Sequence, residues 1–194
     1  MARASDVMED PVSGARGVFR QTSAETNGEL VQIDFTFAPH VPVSSEHIHP
    51  LQEERFEVLS GTFGFLVNGQ EQTGGVGYEL VAPAGIPHNF WVVGDEPGEI
   101  RFEFRPALRT EEVFETLWTL VRAGKVNRKT GRPSLLQSAV MLSEYRNEFV
   151  PASPPLPVQR VLFGVLAPLG RLLGYRARLP YPYAESASSA APAP

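Results

Sequence analysis

HIHPLQEERFEVLSG, residues 47–61, is the stretch that decides how this chain folds. His47 and His49 are two apart, so on a strand they project from the same face. Glu53 and Glu54 are neighbours and must face opposite ways. Phe56 and Val58 share the even register with Glu54, whereas Arg55 and Glu57 share the odd register with Glu53, which makes Glu54 the inward carboxylate. The separation of His49 from Glu54 is odd, so one unbroken strand cannot carry both inward. Pro50 supplies the break, because it removes a ladder donor and favours a turn or a strand edge.

A second run, GYELVAPAGIPHNF at residues 77–90, contains His88. Several polar groups aimed into an apolar barrel must be paired, protonated or bound to a cation, and one divalent metal satisfies His47, His49, Glu54 and His88 together. Imidazoles and a carboxylate suit Zn, Fe, Mn, Co, Ni or Cu, and the chain has no cysteine to bias the choice toward a thiophilic ion. The expected cofactor is therefore one divalent metal ion of open identity.

The surrounding sequence reads as short strands. In ELVQIDFTF, Val31, Ile33, Phe35 and Phe37 alternate with Gln32, Asp34 and Thr36, the period of a half-buried strand. Asn68-Gly69 between two extended runs predicts a hairpin. EIRFEFR alternates Ile100, Phe102 and Phe104 with Arg101, Glu103 and Arg105. Closely spaced strands with Gly and Pro turns favour a jelly roll or barrel.

With these residues in place, the chain resembles a cupin, whose motifs read G(x)5HxH(x)3-4E(x)6G and G(x)5PxG(x)2H(x)3N. His47, His49, Glu54 and Gly61 fit the first motif; Gly77, Pro83, Gly85 and His88 fit the second. Val41 stands in place of the opening glycine and Val92 in place of the closing asparagine. The resemblance covers roughly residues 17–106 and implies a mainly β, jelly-roll barrel. It also implies quercetinase-like dioxygenase, sugar-acid isomerase or small-molecule cyclase chemistry without choosing among them, and a homodimer.

Composition sets the outer limits. The 194 residues are 42% hydrophobic, enough for one core and an accessory region. MARASDVMEDPVSGARG lacks an apolar h-region, so the expectation is a cytoplasmic protein. Residues 1–106 hold 6 Lys or Arg against 16 Asp or Glu, and residues 107–194 hold 11 against 6. That opposition predicts a basic C-terminal part packed against an acidic barrel, its own or a partner's. The net charge of −5 argues against a nucleic-acid surface.

The expected organisation is a flexible N-terminal arm (1–16), the barrel (17–106), a helical extension packing on the barrel or a partner subunit (107–183) and a disordered tail (184–194). In TEEVFETLWTLVRAGK, Thr110 can cap, and Val113, Phe114, Leu117, Trp118 and Val121 form an apolar stripe ending near Gly124. A second helix starts at Ser134 with Gln137 as its capping partner and continues through Leu136, Val140, Leu142, Tyr145 and Phe149. The apolar segment 158–175 is interrupted by Gly164, Pro168, Gly170 and Arg171 and falls short of the ~20 residues a bilayer span needs. It reads as a helix or helix pair packing on protein, with an interfacial helix as the alternative.

The functional expectation is a metal-dependent enzyme acting on a small oxygen-rich molecule, of dioxygenase, isomerase or cyclase type, with Glu54 as a ligand or a base. Phe56, Val58, Phe90 and Val92 share the inward register and could line a substrate pocket, and His40 could reach the site from its loop. The alternative is a non-catalytic metal- or ligand-binding protein with a sensory or structural role.

Overall fold

The computed structural model describes residues 2–40 and 45–183. Val41 and the tail 184–194 therefore lie outside the described residues. In chain order the elements are β1 (Val7–Glu9), β2 (Arg16–Gln21), β3 (Val31–Phe37), β4 (His47–Ile48), β5 (Glu53–Ser60), β6 (Phe63–Val67), β7 (Gln70–Gly74), β8 (Glu79–Ala82), β9 (His88–Val92) and β10 (Gly98–Arg105). They are followed by α1 (Thr110–Arg122), α2 (Leu135–Glu144), β11 (Val150–Pro151) and α3 (Leu156–Leu172).

Two antiparallel sheets face one another in a jelly roll. One has the order β1-β2-β3-β10-β5-β8 and the other β11-β4-β9-β6-β7. Strand alternation sets the core between them: Val31, Ile33, Phe35, Phe56, Val58, Phe63, Phe65, Phe90, Ile100, Phe102 and Phe104 are all buried. The β6–β7 hairpin turns at Asn68 (φ 50°) and Gly69 (φ 75°), a left-handed pair that matches the twist of the strands and that Asn-Gly adopts readily.

Three sequence expectations change here. The segment expected to be an N-terminal arm carries β1, which pairs with β2 and buries Met8 completely. Its apolar side chain and free ladder groups gain more by extending the sheet than by remaining in water. Asp34, assigned to the outward face of its strand, is nevertheless buried; Arg20 and Arg101 approach it at 2.6 and 2.7 Å and neutralise it there. Thr110 does not cap α1. Arg109 occupies the N-cap with no side-chain cap bond, and the Thr110 hydroxyl instead accepts from Gln52 Nε2 at 2.7 Å.

The extension is built onto the barrel by α1. Phe114 and Trp118 pack on Phe35, with ring centroids 5.2 and 5.9 Å away, while Val113 and Leu120 join Met141 and Tyr145 in a second cluster. The segment after α3 returns over α1. Leu179 N–H donates to Thr116 Oγ1, Tyr181 OH accepts from Glu9 N–H of β1, and Tyr183 OH donates to Glu115. Charge plays a smaller part in this packing than expected. Arg128 reaches Asp10 of the barrel at 3.6 Å, but Arg109, Arg171 and Arg178 pair with Glu144, Glu148 and Glu112 of the extension itself.

Ser134 caps α2 by accepting from Gln137 N–H, as the sequence predicts. The helix stops at Glu144, however, and Tyr145 is its C-cap, so Phe149 lies beyond it. A single helix, α3, runs through Pro168. It seats Ala167 and Gly170 inward, and a Cβ at Gly170 would meet Val140 Cγ2 at 2.7 Å and the Leu136 carbonyl at 3.2 Å, so only glycine permits that approach to α2. The opposite face leaves Val158, Val161, Val165, Leu169 and Leu172 exposed. Among the described residues no helix is long and apolar enough to cross a membrane.

Candidate metal centre

The break at Pro50 does what parity requires of it. β4 ends at Ile48 and β5 begins at Glu53 in the other sheet, so the histidines and the glutamate approach one another across the barrel interior. His47 pairs with His88 between β4 and β9. Glu54 is set by its pairing with Phe104 of β10 and Ala82 of β8. Glu54 is buried and Glu53 is not, in agreement with the register argument.

One ligand atom from each of His47, His49, Glu54 and His88 lies within 4.8 Å of all the others, and no ligand residue is more than 7% exposed. Glu54 Oε2 is 2.7 Å from His88 Nε2, 3.1 Å from His49 Nε2 and 3.7 Å from His47 Nε2. Each ring is oriented from behind. His47 Nδ1 donates to the Ser45 carbonyl at 2.9 Å, His88 Nδ1 to the Ile86 carbonyl at 2.9 Å, and His49 Nδ1 to the Glu148 carbonyl. A carbonyl only accepts, so every Nδ1 carries its proton and every Nε2 turns toward the shared centre.

The electrostatics follow from this crowding. Burial pushes the Glu54 carboxyl up, but the electrostatic attraction of His49 and the close approach of the His47 and His88 imidazoles outweigh it and hold Glu54 well below the usual carboxylate range. Burial lowers His47, with the neighbouring His49 and His88 adding to it. Burial also opposes the charge on His88, but the Glu54 hydrogen bond prevails and raises it.

The donor set fits a divalent cation. His49 Nε2 is buried with no hydrogen-bond partner among the described residues, although the Glu54 oxygen stands nearby. An unsatisfied buried nitrogen beside a carboxylate is costly, and a cation coordinated by both removes the cost. His47, His49, Glu54 and His88 could therefore hold a metal ion.

The other candidate residues fare differently. Phe56 borders the centre, its ring 6.0 Å from His88. Val58 and Phe90 are buried in the barrel core, and Val92 pairs with Phe63 at the far end of β9. His40 is not brought to the centre; its side chain is 74% exposed and its Nε2 lies 2.9 Å from Asp95. Two neighbours were not anticipated. Phe104 stands 5.2 Å from His49, and Phe149 stands 4.9 Å from His47 and 6.1 Å from His49. The turn residue Asn147 and the helix-incompatible Pro151 were the available signals that Phe149 leaves the helix.

Residues 33–102 match the family model described as "Cupin domain". No curated protein matches the chain. Among solved structures, KdgF from Halomonas sp. is 17% identical, with 54% of this chain and 89% of that one covered and a TM-score of 0.46. An RmlC-like cupin from Shewanella frigidimarina is 20% identical, with 54% and 86% covered and a TM-score of 0.45. A predicted oxalate decarboxylase from Thermotoga maritima is 16% identical, with 55% and 98% covered and a TM-score of 0.48.

Proposed function

We propose that this chain, a cupin-superfamily protein through its barrel, is a metal-dependent enzyme acting on a small oxygen-rich organic molecule. The observation that carries this reading is the convergence of three oriented imidazole Nε2 atoms on the Glu54 carboxylate inside an apolar barrel. His47, His49, His88 and Glu54 would hold the ion. When bound, it would supply Lewis-acid polarisation of a chelating substrate oxygen or, if redox-active, activation of O2. The chain's own groups do the rest. The carbonyls of Ser45, Ile86 and Glu148 fix the imidazole tautomers, and the rings of Phe56, Phe104 and Phe149 keep water from the centre. Glu54, held low by its neighbours, is better suited to ligation than to removing a proton from substrate. Dioxygenation of a phenol or enediol, isomerisation and cyclisation are the reaction types this site would support.

The closure of the centre supports a second reading, a non-catalytic cupin whose metal or small ligand has a sensory or structural role, because a structural site has no open position. Elemental analysis of protein purified without added metal, followed by turnover assays with phenols, enediols and sugar acids, tests both readings. About one divalent ion per chain together with turnover supports the enzyme. The same metal content with no turnover favours the second reading, and no metal in any preparation removes the enzyme and leaves only the small-ligand form of the second reading. The exposed aliphatic face of α3 supports pairing of two copies as a homodimer, since uncharged branched side chains of this kind are commonly covered in an assembly.

A further inference from the structure

We propose that Phe149 is the gate and size-selecting wall of the metal centre, supplied by the helical extension and latched by Arg109; this rests on the metal reading given above. Three phenylalanine rings border the ligands. Phe56 and Phe104 belong to β5 and β10, which pair with one another and each with a further strand, and both rings are almost completely buried. Phe149 is half-buried and sits beside β11, a two-residue strand at the edge of the five-stranded sheet.

That edge pairing consists of Val150 opposite Ile48 and Pro151 opposite His47, extended by one bond from the Ala152 N–H to the Glu46 carbonyl at 3.0 Å, and Pro151 has no N–H to add to the ladder. Of the three walls, Phe149 is therefore held by the least sheet pairing, its own N–H donating instead to the Tyr145 carbonyl at 2.9 Å. Movement of this wall uncovers His47 and His49, whereas movement of either other wall requires opening the barrel sheet.

The segment is tied down from outside. Arg109 Nε donates to Glu148 at 3.3 Å, Arg109 Nη1 to Glu144 at 3.1 Å and Arg109 Nη2 to the Glu144 carbonyl at 2.7 Å. The guanidinium also lies 4.9 Å from the Tyr145 ring centroid. Glu148 in turn accepts at its carbonyl from His49. The residue that orients one metal-site imidazole thus adjoins the ring that covers it, and Arg109 at the start of α1 couples both to the body of the extension. A compact molecule that chelates through adjacent oxygens can pass a displaced Phe149, whereas a bulky one meets its ring.

The test uses the full chain loaded with cobalt(II), whose visible spectrum reports added ligands, with azide as the small probe and 4-nitrocatechol as the larger one. The proteins compared are wild type, Phe149→Ala, the apolar-conserving Phe149→Leu, Phe149→Trp and the latch variant Arg109→Gln. The expected result is equal cobalt content throughout, with 4-nitrocatechol binding at least about tenfold faster to Phe149→Ala and Arg109→Gln, an intermediate gain in Phe149→Leu and slower binding in Phe149→Trp, while azide rates change far less. Equal catechol rates across cobalt-loaded proteins, or exclusion of both probes from wild type and Phe149→Ala alike, overturn the gate and leave the metal site standing. Failure of wild type to take up cobalt overturns the metal reading itself, and the gate with it.

Discussion

His49 Nδ1 donates its proton to the backbone carbonyl of Glu148, a residue 99 positions further along the chain. One imidazole of the barrel is thereby oriented by the extension, so the integrity of the site and the docking of the extension are coupled. Loss of either should be visible in the other.

Removal of a proposed ligand should abolish metal uptake. His47→Ala, His49→Ala and His88→Ala are expected to weaken metal binding by more than about 100-fold, beyond the range seen when only outer-shell partners are lost. Glu53→Ala, on the opposite face of β5, should bind as wild type does. Competition with a chromophoric chelator measures both, and wild-type affinity in the histidine variants would remove the site.

Gln52 should matter for stability out of proportion to its size. It is buried, and its Nε2 lies 2.7 Å from the Pro106 carbonyl, 3.0 Å from the Ala107 carbonyl and 2.7 Å from Thr110 Oγ1, tying the loop between the ligands to the start of α1. Gln52→Ala should cost about 1–3 kcal/mol by leaving buried acceptors without a donor. Urea denaturation provides the value, and a loss under about 0.5 kcal/mol, as for an ordinary surface change, would contradict the strut.

Glu111 should give stability a pH dependence of a particular sign. Burial raises its carboxyl, with Glu115 adding to the effect and the Ser23 N–H opposing it. A carboxyl raised on folding favours the folded state fully below its ordinary value of 4.5, and that contribution is lost as pH rises through the raised value. Glu111→Gln should therefore melt higher than wild type near about pH 7, by a few degrees, with the advantage shrinking toward about pH 4. Thermal melts across that interval check it; a difference that is constant or reversed would mean that Glu111 does not titrate with folding.

Charges placed on the exposed face of α3 should separate two copies. Val161→Asp with Val165→Asp would bury unpaired carboxylates in any interface formed there, at a cost of several kcal/mol, raising a dimer dissociation constant by at least about 100-fold. Sedimentation velocity would show wild type as a dimer and the variant as a monomer. The same mass for both would place the partner surface elsewhere or remove it.

The centre was legible in the sequence to an unusual depth because it is encoded by local spacing. A two-residue period places His47 and His49 on one face, the odd step across Pro50 demands a strand break, and the apolar register of Phe56 and Val58 selects Glu54 over Glu53. The structure has each of these features. No strand register governs His40, read as a loop residue that could reach the site; its exposed side chain faces Asp95 instead.

Strand periodicity and turn chemistry act over a few residues, so local pattern was enough to specify the barrel, its register and the four side chains that converge within it. Which carbonyls orient the imidazoles, why Asp34 can be buried, and why Phe149 stands against His47 instead of extending α2 were set by the assembled fold. Those outcomes depend on pairings such as Val150 with Ile48 and Arg101 with Asp34, which join distant segments. Such pairings are chosen by the packing of the whole chain rather than by any local pattern.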